Sequence, residues 1–177
     1  MAGFRPRRAE GGHNSGEHRD FILKNSETFT VGDQVVLTSG FVALSTTDRP
    51  IGVIDGFVDS AGLPLSAQHA VAHGGTYSGT PGTVGSETLA TASNNQTVAK
   101  IRGRIVVDHR QEFYNDANGS LTQAMVGQYF SSTNSDQINA STNSNSALVW
   151  VLTDIDPDSD GDASKGIFKI AQHAWNQ

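Results

Sequence analysis

Five aspartates alternate through Asp154, Asp156, Asp158, Asp160 and Asp162, the densest concentration of ligand-type side chains in the chain. Within it, Asp156-Pro157-Asp158-Ser159-Asp160-Gly161 has the opening cadence of an oxygen-ligated calcium loop, where alternate carboxylates converge on one cation and a glycine at the sixth place permits the sharp turn. The twelfth place, which in such loops carries a bidentate Glu, is Ile167, and Pro157 fixes one φ angle. Two readings follow. Asp156, Asp158 and Asp160 hold calcium, or the run is a solvated acidic hairpin loop that docks a basic neighbour. The complementary charge stands at the other end, where Arg5, Arg7 and Arg8 follow Phe4, the only large apolar side chain after Met1 among residues 1–19.

Other constellations carry less. His69 and His73 are four apart, a metal-ligand spacing on a helix, but Gly74-Gly75 follow at once and no neighbouring carboxylate completes a set. Asp108-His109 lacks a nucleophile elbow of the G-x-S-x-G type. The Gly-rich stretches between residues 74 and 86 contain no phosphate-cradling P-loop, and no strand-GxGxxG-helix unit exists. No enzymatic activity is expected, and no cofactor other than calcium. With no cysteine, neither a disulfide framework nor a thiolate metal site is available.

The elements that must position these groups read as β-structure. Ser, Thr and Asn supply about a quarter of the 177 residues while charged residues make only 17%, the composition of turns, strand edges and polar sheet faces rather than of helical surfaces. Short apolar runs closed by turn residues follow one another at 21–23, 28–31, 34–37, 41–45 and 51–55, the signature of a small barrel or meander. Further strands are expected at 97–107, 147–152 and 166–171. In the first, Val98, Lys100, Arg102 and Arg104 share one face, which is wet or pairs with acid, and Ala99, Ile101, Gly103 and Ile105 the other, which is core. One short helix is expected at 120–127, with Leu121 and Met125 four apart and Gly127 as its stop.

The expected fold is therefore mostly β, a small barrel or sandwich of short antiparallel strands with one short helix. Residues 1–19 form an extended N-terminal arm and residues 20–177 a single β-rich domain carrying a long Gly/Ser/Thr-rich loop at 59–97. A net charge of −6 argues against a general nucleic-acid binder. No apolar run reaches the roughly 18 residues a membrane span needs, and no Sec-type leader opens the sequence.

Val31-Gly32-Asp33-Gln34-Val35-Val36-Leu37, then Gly40-Phe41-Val42-Ala43-Leu44, then Arg49-Pro50-Ile51-Gly52-Val53-Ile54 together resemble the capsid decoration, or cement, proteins of tailed bacteriophages, whose small β-barrel has the cadence G-D-x-V, turn Gly, Ala-containing strand, P-x-G-V. Gly119-Ser120-Leu121-Thr122-Gln123-Ala124-Met125-Val126-Gly127 is similar to a G-x-L-T-x-A-x-V-G segment of related virion proteins. The resemblance implies a non-enzymatic virion structural protein on the capsid exterior, commonly trimeric, that clamps adjacent major capsid subunits. It also implies residence in the host cytoplasm during assembly, and no partnership with nucleic acid or membrane. On that reading Arg5, Arg7 and Arg8 dock on an acidic capsid surface and Phe4 is an apolar anchor. The competing class is a calcium-dependent carbohydrate-binding or adhesion module, with Trp150, Trp175, Tyr77 or Tyr114 stacking on sugar.

Overall fold

A computed structural model describes residues 3–9, 17–24, 27, 29–45, 50–59, 101–144, 149–156 and 163–171. They form two antiparallel five-stranded sheets. Sheet I contains β1 (Arg5–Ala9), β7 (Gln111–Asp116), β10 (Lys165–Ile170), β9 (Trp150–Ile155) and β8 (Tyr129–Phe130), in that order. Sheet II contains β2 (His18–Ile22), β6 (Ile101–Val106), β5 (Gly52–Asp59), β3 (Gln34–Thr38) and β4 (Phe41–Leu44). Sheet II is thus built from one stretch of chain, whereas sheet I takes its first strand from the extreme N-terminus and the rest from the second half.

Sheet II rolls until its edges meet. Leu23 and Val42 form a single parallel bridge, and the Lys24 amide donates to the Val42 carbonyl at 2.7 Å. The roll stops at that bridge rather than closing into a full ladder. Its interior holds Leu23, Phe29, Val35, Val42, Ile54, Phe57 and Ile105.

Alternation along β5 and β6 divides the apolar residues between two cores, because successive side chains leave opposite faces of a strand. The Ile54/Ile105 pair points into the roll. The Val53/Val106 pair leaves the opposite face and joins Phe4, Phe113, Phe130, Trp150, Leu152 and Phe168 in the core of sheet I. The sequence expectation for 97–107 holds where the strand is described: Gly103 and Ile105 are buried, and Arg102 and Arg104 are not.

A buried polar seam ties the N-terminus, the turn before β3 and the 132–136 segment together. Gln34, 1% exposed, uses its whole amide. Its Nε2 donates to the Ser45 carbonyl at 2.9 Å and the Asn134 carbonyl at 3.1 Å. Its Oε1 accepts from Ser132 Oγ at 3.0 Å and from Trp150 Nε1 at 2.9 Å. The main chain adds bonds from the Gly3 amide to the Asp136 carbonyl (2.9 Å), from the Phe4 amide to the Gly32 carbonyl (2.8 Å) and from the Gln34 amide to the Ser135 carbonyl (2.7 Å). A seam in which the buried Gln34 amide is fully paired selects one docking geometry, since any slip strands a buried polar group.

Asp33 sits in this seam, accepting from the Thr30 amide at 2.7 Å and Ser135 Oγ at 2.8 Å. Burial pushes its carboxyl above the usual value of 3.8 and the nearby Asp136 charge adds to this, although the two hydrogen bonds pull the other way. A carboxyl raised in the folded state gives its full stabilisation below the unfolded value and loses it as pH rises through the folded one. We therefore expect the native protein to gain stability over an Asp33→Asn variant as pH falls from neutral toward 4. Melting midpoints of both proteins across that range check this; a constant difference, or one that shrinks, would refute it.

Two expectations need correction. The short helix at 120–127 is only a 3₁₀ turn, Gln123–Met125. Its flanks are tied to the sheets, with the Leu121 amide bonded to the Ala163 carbonyl at 2.6 Å and the Gly127 amide to the Leu152 carbonyl at 2.8 Å, leaving too few free residues for an α-helical run. Nor are the first residues wholly an arm. β1 pairs with β7 with Arg5 opposite Tyr114 and Pro6 opposite Phe113, because burying Phe4 holds the segment in place. Apart from Asp59, which ends β5, the loop expected at 59–97 lies outside the described residues.

Candidate functional site

Chemistry-bearing side chains converge on the outer face of sheet II. Asp20 of β2 stands directly opposite Arg104 of β6, and the guanidinium donates to the carboxylate at 3.1 Å from Nε and 3.5 Å from Nη2. His18, two residues earlier on the same strand and hence on the same face, places Nε2 at 2.9 Å from Asp55 Oδ2. A carboxylate only accepts, so Nε2 carries the proton and a neutral His18 keeps its lone pair at Nδ1.

Asp55 reaches this face through a β-bulge. The β5–β6 register passes from Ile54/Ile105 to Gly56/Arg104, leaving Asp55 as the extra residue. Bulges of this kind re-aim a side chain that regular pairing would send elsewhere. His18, Asp20, Asp55 and Arg104 line a cleft of about 360 Å³. Each is about one-third exposed or slightly less or more, from 28% for His18 and Asp20 to 37% for Asp55. Gly56 lies opposite Arg104, and a Cβ built on it meets nothing within 4 Å.

Sequence reasoning located one corner of this cleft, the cationic face of β6 that pairs with acid. It missed the rest, because residues 18, 20, 55 and 104 become neighbours only through strand pairing. The Asp-Gly step at 55–56 is the one local signal, a turn-type dipeptide inside an apolar strand.

The residues singled out by sequence fare differently. Phe4 is fully buried, stacked on Trp150 at 4.1 Å between ring centroids and edge-on to Phe113 at 6.2 Å. It anchors the chain to itself and is not presented to a partner, because a large aromatic ring gains more from the preformed Trp150–Phe113 slot than from water. Arg5, Arg7 and Arg8 lie on β1, the edge strand of sheet I.

Asp156 follows β9, its amide bonded to the Lys165 carbonyl at 3.3 Å; Asp158 and Asp160 lie outside the described residues, as do His69, His73, Tyr77 and Trp175. Trp150 is core and cannot stack on a sugar. Asp108 serves a turn, accepting from the Arg110 amide at 2.9 Å and its guanidinium at 3.1 Å. Burial pushes its carboxyl up, but these Arg110 contacts outweigh it and hold the group below the usual range. Among the described residues no group of three or more His, Asp or Glu is placed to hold a metal ion, and no helix is long and apolar enough to cross a membrane.

No protein-family model, no curated protein and no solved structure matches this chain.

Proposed function

We propose that this chain is a non-enzymatic virion structural protein, a decoration protein that binds the outer surface of a bacteriophage capsid, as a trimer, and stabilises it by clamping adjacent major capsid subunits. One observation carries the reading. The residues bearing the decoration-protein cadence, 31–54, supply β3, β4 and the start of β5, and these lie side by side in the small rolled sheet II.

The cadence residues also occupy the positions their chemistry suits. Gly32 takes φ +96°, and its bare Cα lets the N-terminal Gly3-Phe4 backbone approach to about van der Waals contact. Asp33 and Gln34 form the seam described above. Two antiparallel sheets locked by packed aromatics give a rigid body of the kind a lattice clamp needs, and many weak copies acting on one capsid supply avidity.

With Phe4 internal, docking falls to Arg5, Arg7 and Arg8 on the edge strand. Co-sedimentation with undecorated phage heads tests the proposal. We expect saturable binding at a fixed copy number per capsomer that weakens as salt rises, since exposed ion pairs are screened within about 8 Å at physiological ionic strength. Replacing the three arginines by glutamines weakens binding by about 3- to 150-fold if each contributes about 0.2–1 kcal/mol. Failure of the native protein to bind heads, with and without calcium, overturns the reading.

A further inference from the structure

We infer that the His18–Asp20–Asp55–Arg104 cleft is a docking site for a primary ammonium group, presented as a lysine side chain on a partner protein. The inference goes beyond the capsid proposal and does not depend on it. Its basis is the distribution of acceptors. The four side chains comprise two carboxylates against one guanidinium, so with a neutral imidazole they carry one net negative charge. Asp20 presents both oxygens to Arg104. Asp55 spends only Oδ2, on His18. Among the described residues, Asp55 Oδ1 has no protein partner, and neither has His18 Nδ1, an acceptor whenever the imidazole is neutral.

That pattern discriminates between cations. An arginine fork needs both oxygens of one carboxylate, and neither carboxylate has two to spare. An ammonium is compact and donates three separate N–H bonds, so it suits acceptors contributed singly by different side chains. The bare Cα of Gly56, opposite Arg104, leaves room for a narrow alkyl stem beside Asp55. The bulge gives the construction a reason, for it sets Asp55 and Gly56 beside each other on the outer face of β5, opposite Arg104.

The test is a titration of the intact protein with Nα-acetyl-lysine methylamide, read from the His18 imidazole NMR resonances, with the arginine analogue and cadaverine in parallel. We expect a saturable shift with the lysine derivative and little response to arginine. Gly56→Ala is the decisive variant, because its methyl meets nothing within 4 Å apart from its chain neighbours and should leave the melting midpoint unchanged while narrowing the space beside Asp55 and opposite Arg104. It and Asp55→Asn should each weaken binding by ~10-fold, the usual scale for losing one charged contact in a small site. Arg104→Gln should tighten binding severalfold by removing the cation that repels an ammonium across a few ångströms, an effect no structural role for Arg104 produces.

Equal response to arginine, no saturable shift, or indifference to Gly56→Ala overturns the inference. So does cadaverine binding ~10-fold tighter than the lysine derivative, which identifies a free diamine as the ligand instead.

Discussion

Replacing Phe4 by alanine is expected to destabilise the protein by about 3–5 kcal/mol, the range for truncating a fully buried phenylalanine that leaves a cavity its surroundings cannot fill. The surroundings here are stiff. Phe4 is stacked on Trp150, 4.1 Å away with planes 15° apart, and meets Phe113 edge-on; Phe113 in turn meets Trp150 edge-on at 5.9 Å. Trp150 cannot swing into the vacated space without breaking its Nε1 bonds to Gln34 and Ser132.

Losing Phe4 also loosens the segment it carries. β1 is an edge strand paired only with β7 among the described strands, and its register shifts between Pro6 and Ala9. Calorimetry should show the midpoint falling by roughly 6–20 °C, at about 2–4 °C per kcal/mol for a chain of this size, and near-ultraviolet circular dichroism should lose tryptophan signal. Deleting residues 2–9 should do at least as much damage. A Phe4→Ala variant within about 0.5 kcal/mol of the native protein, the scatter of an ordinary surface substitution, would show that the N-terminal strand is dispensable for folding.

Gly52→Ala should be more severe, abolishing the soluble folded protein. A Cβ at position 52 would run into the Val106 carbonyl oxygen, lying also 3.0 Å from the Val106 carbonyl carbon and 2.7 Å from Ile105 Cγ2. The first two are backbone atoms of β6, the strand hydrogen-bonded to β5, so relief requires prying apart the ladder that joins the halves of sheet II. That also displaces Val53/Val106 and Ile54/Ile105, which feed both cores. Overpacking costs about 1–3 kcal/mol where side chains can yield; here main chain has to move, and the cost exceeds that range. Gly56→Ala, four residues along the same strand, meets empty space and serves as the matched control. Recovery of a folded Gly52→Ala protein with a native midpoint would mean that β5 and β6 are not packed as described.

The contrast between Gly52 and Gly56 shows how the information divides. Both are glycines in one apolar strand, and the letters do not say which of them lies against the backbone of a neighbouring strand. Local sequence determined the class of fold, because β-propensity and turn chemistry act within a few residues: the strand-and-turn rhythm from Phe21 to Ile54, the alternating faces of β6 and the final strand are legible without coordinates, except that the run expected as a strand at 28–31 leads into a turn at residues 31–32 and contributes the buried Phe29 rather than a strand. β7 was not, since its inward positions are Gln111, Phe113 and Asn115, two of them polar, which erases the period-2 hydrophobic signal. Nor was β1, where one phenylalanine among arginines and a proline reads as a tail until Trp150 and Phe113 are set beside it.

Beyond the cationic face of β6, the cleft belongs to tertiary structure. His18 and Asp55 are 37 residues apart, and Asp20 and Arg104 are 84 apart. Such pairs are chosen by strand register and by a single bulge, both of which depend on how two sheets bury their apolar faces rather than on any preference of the residues themselves.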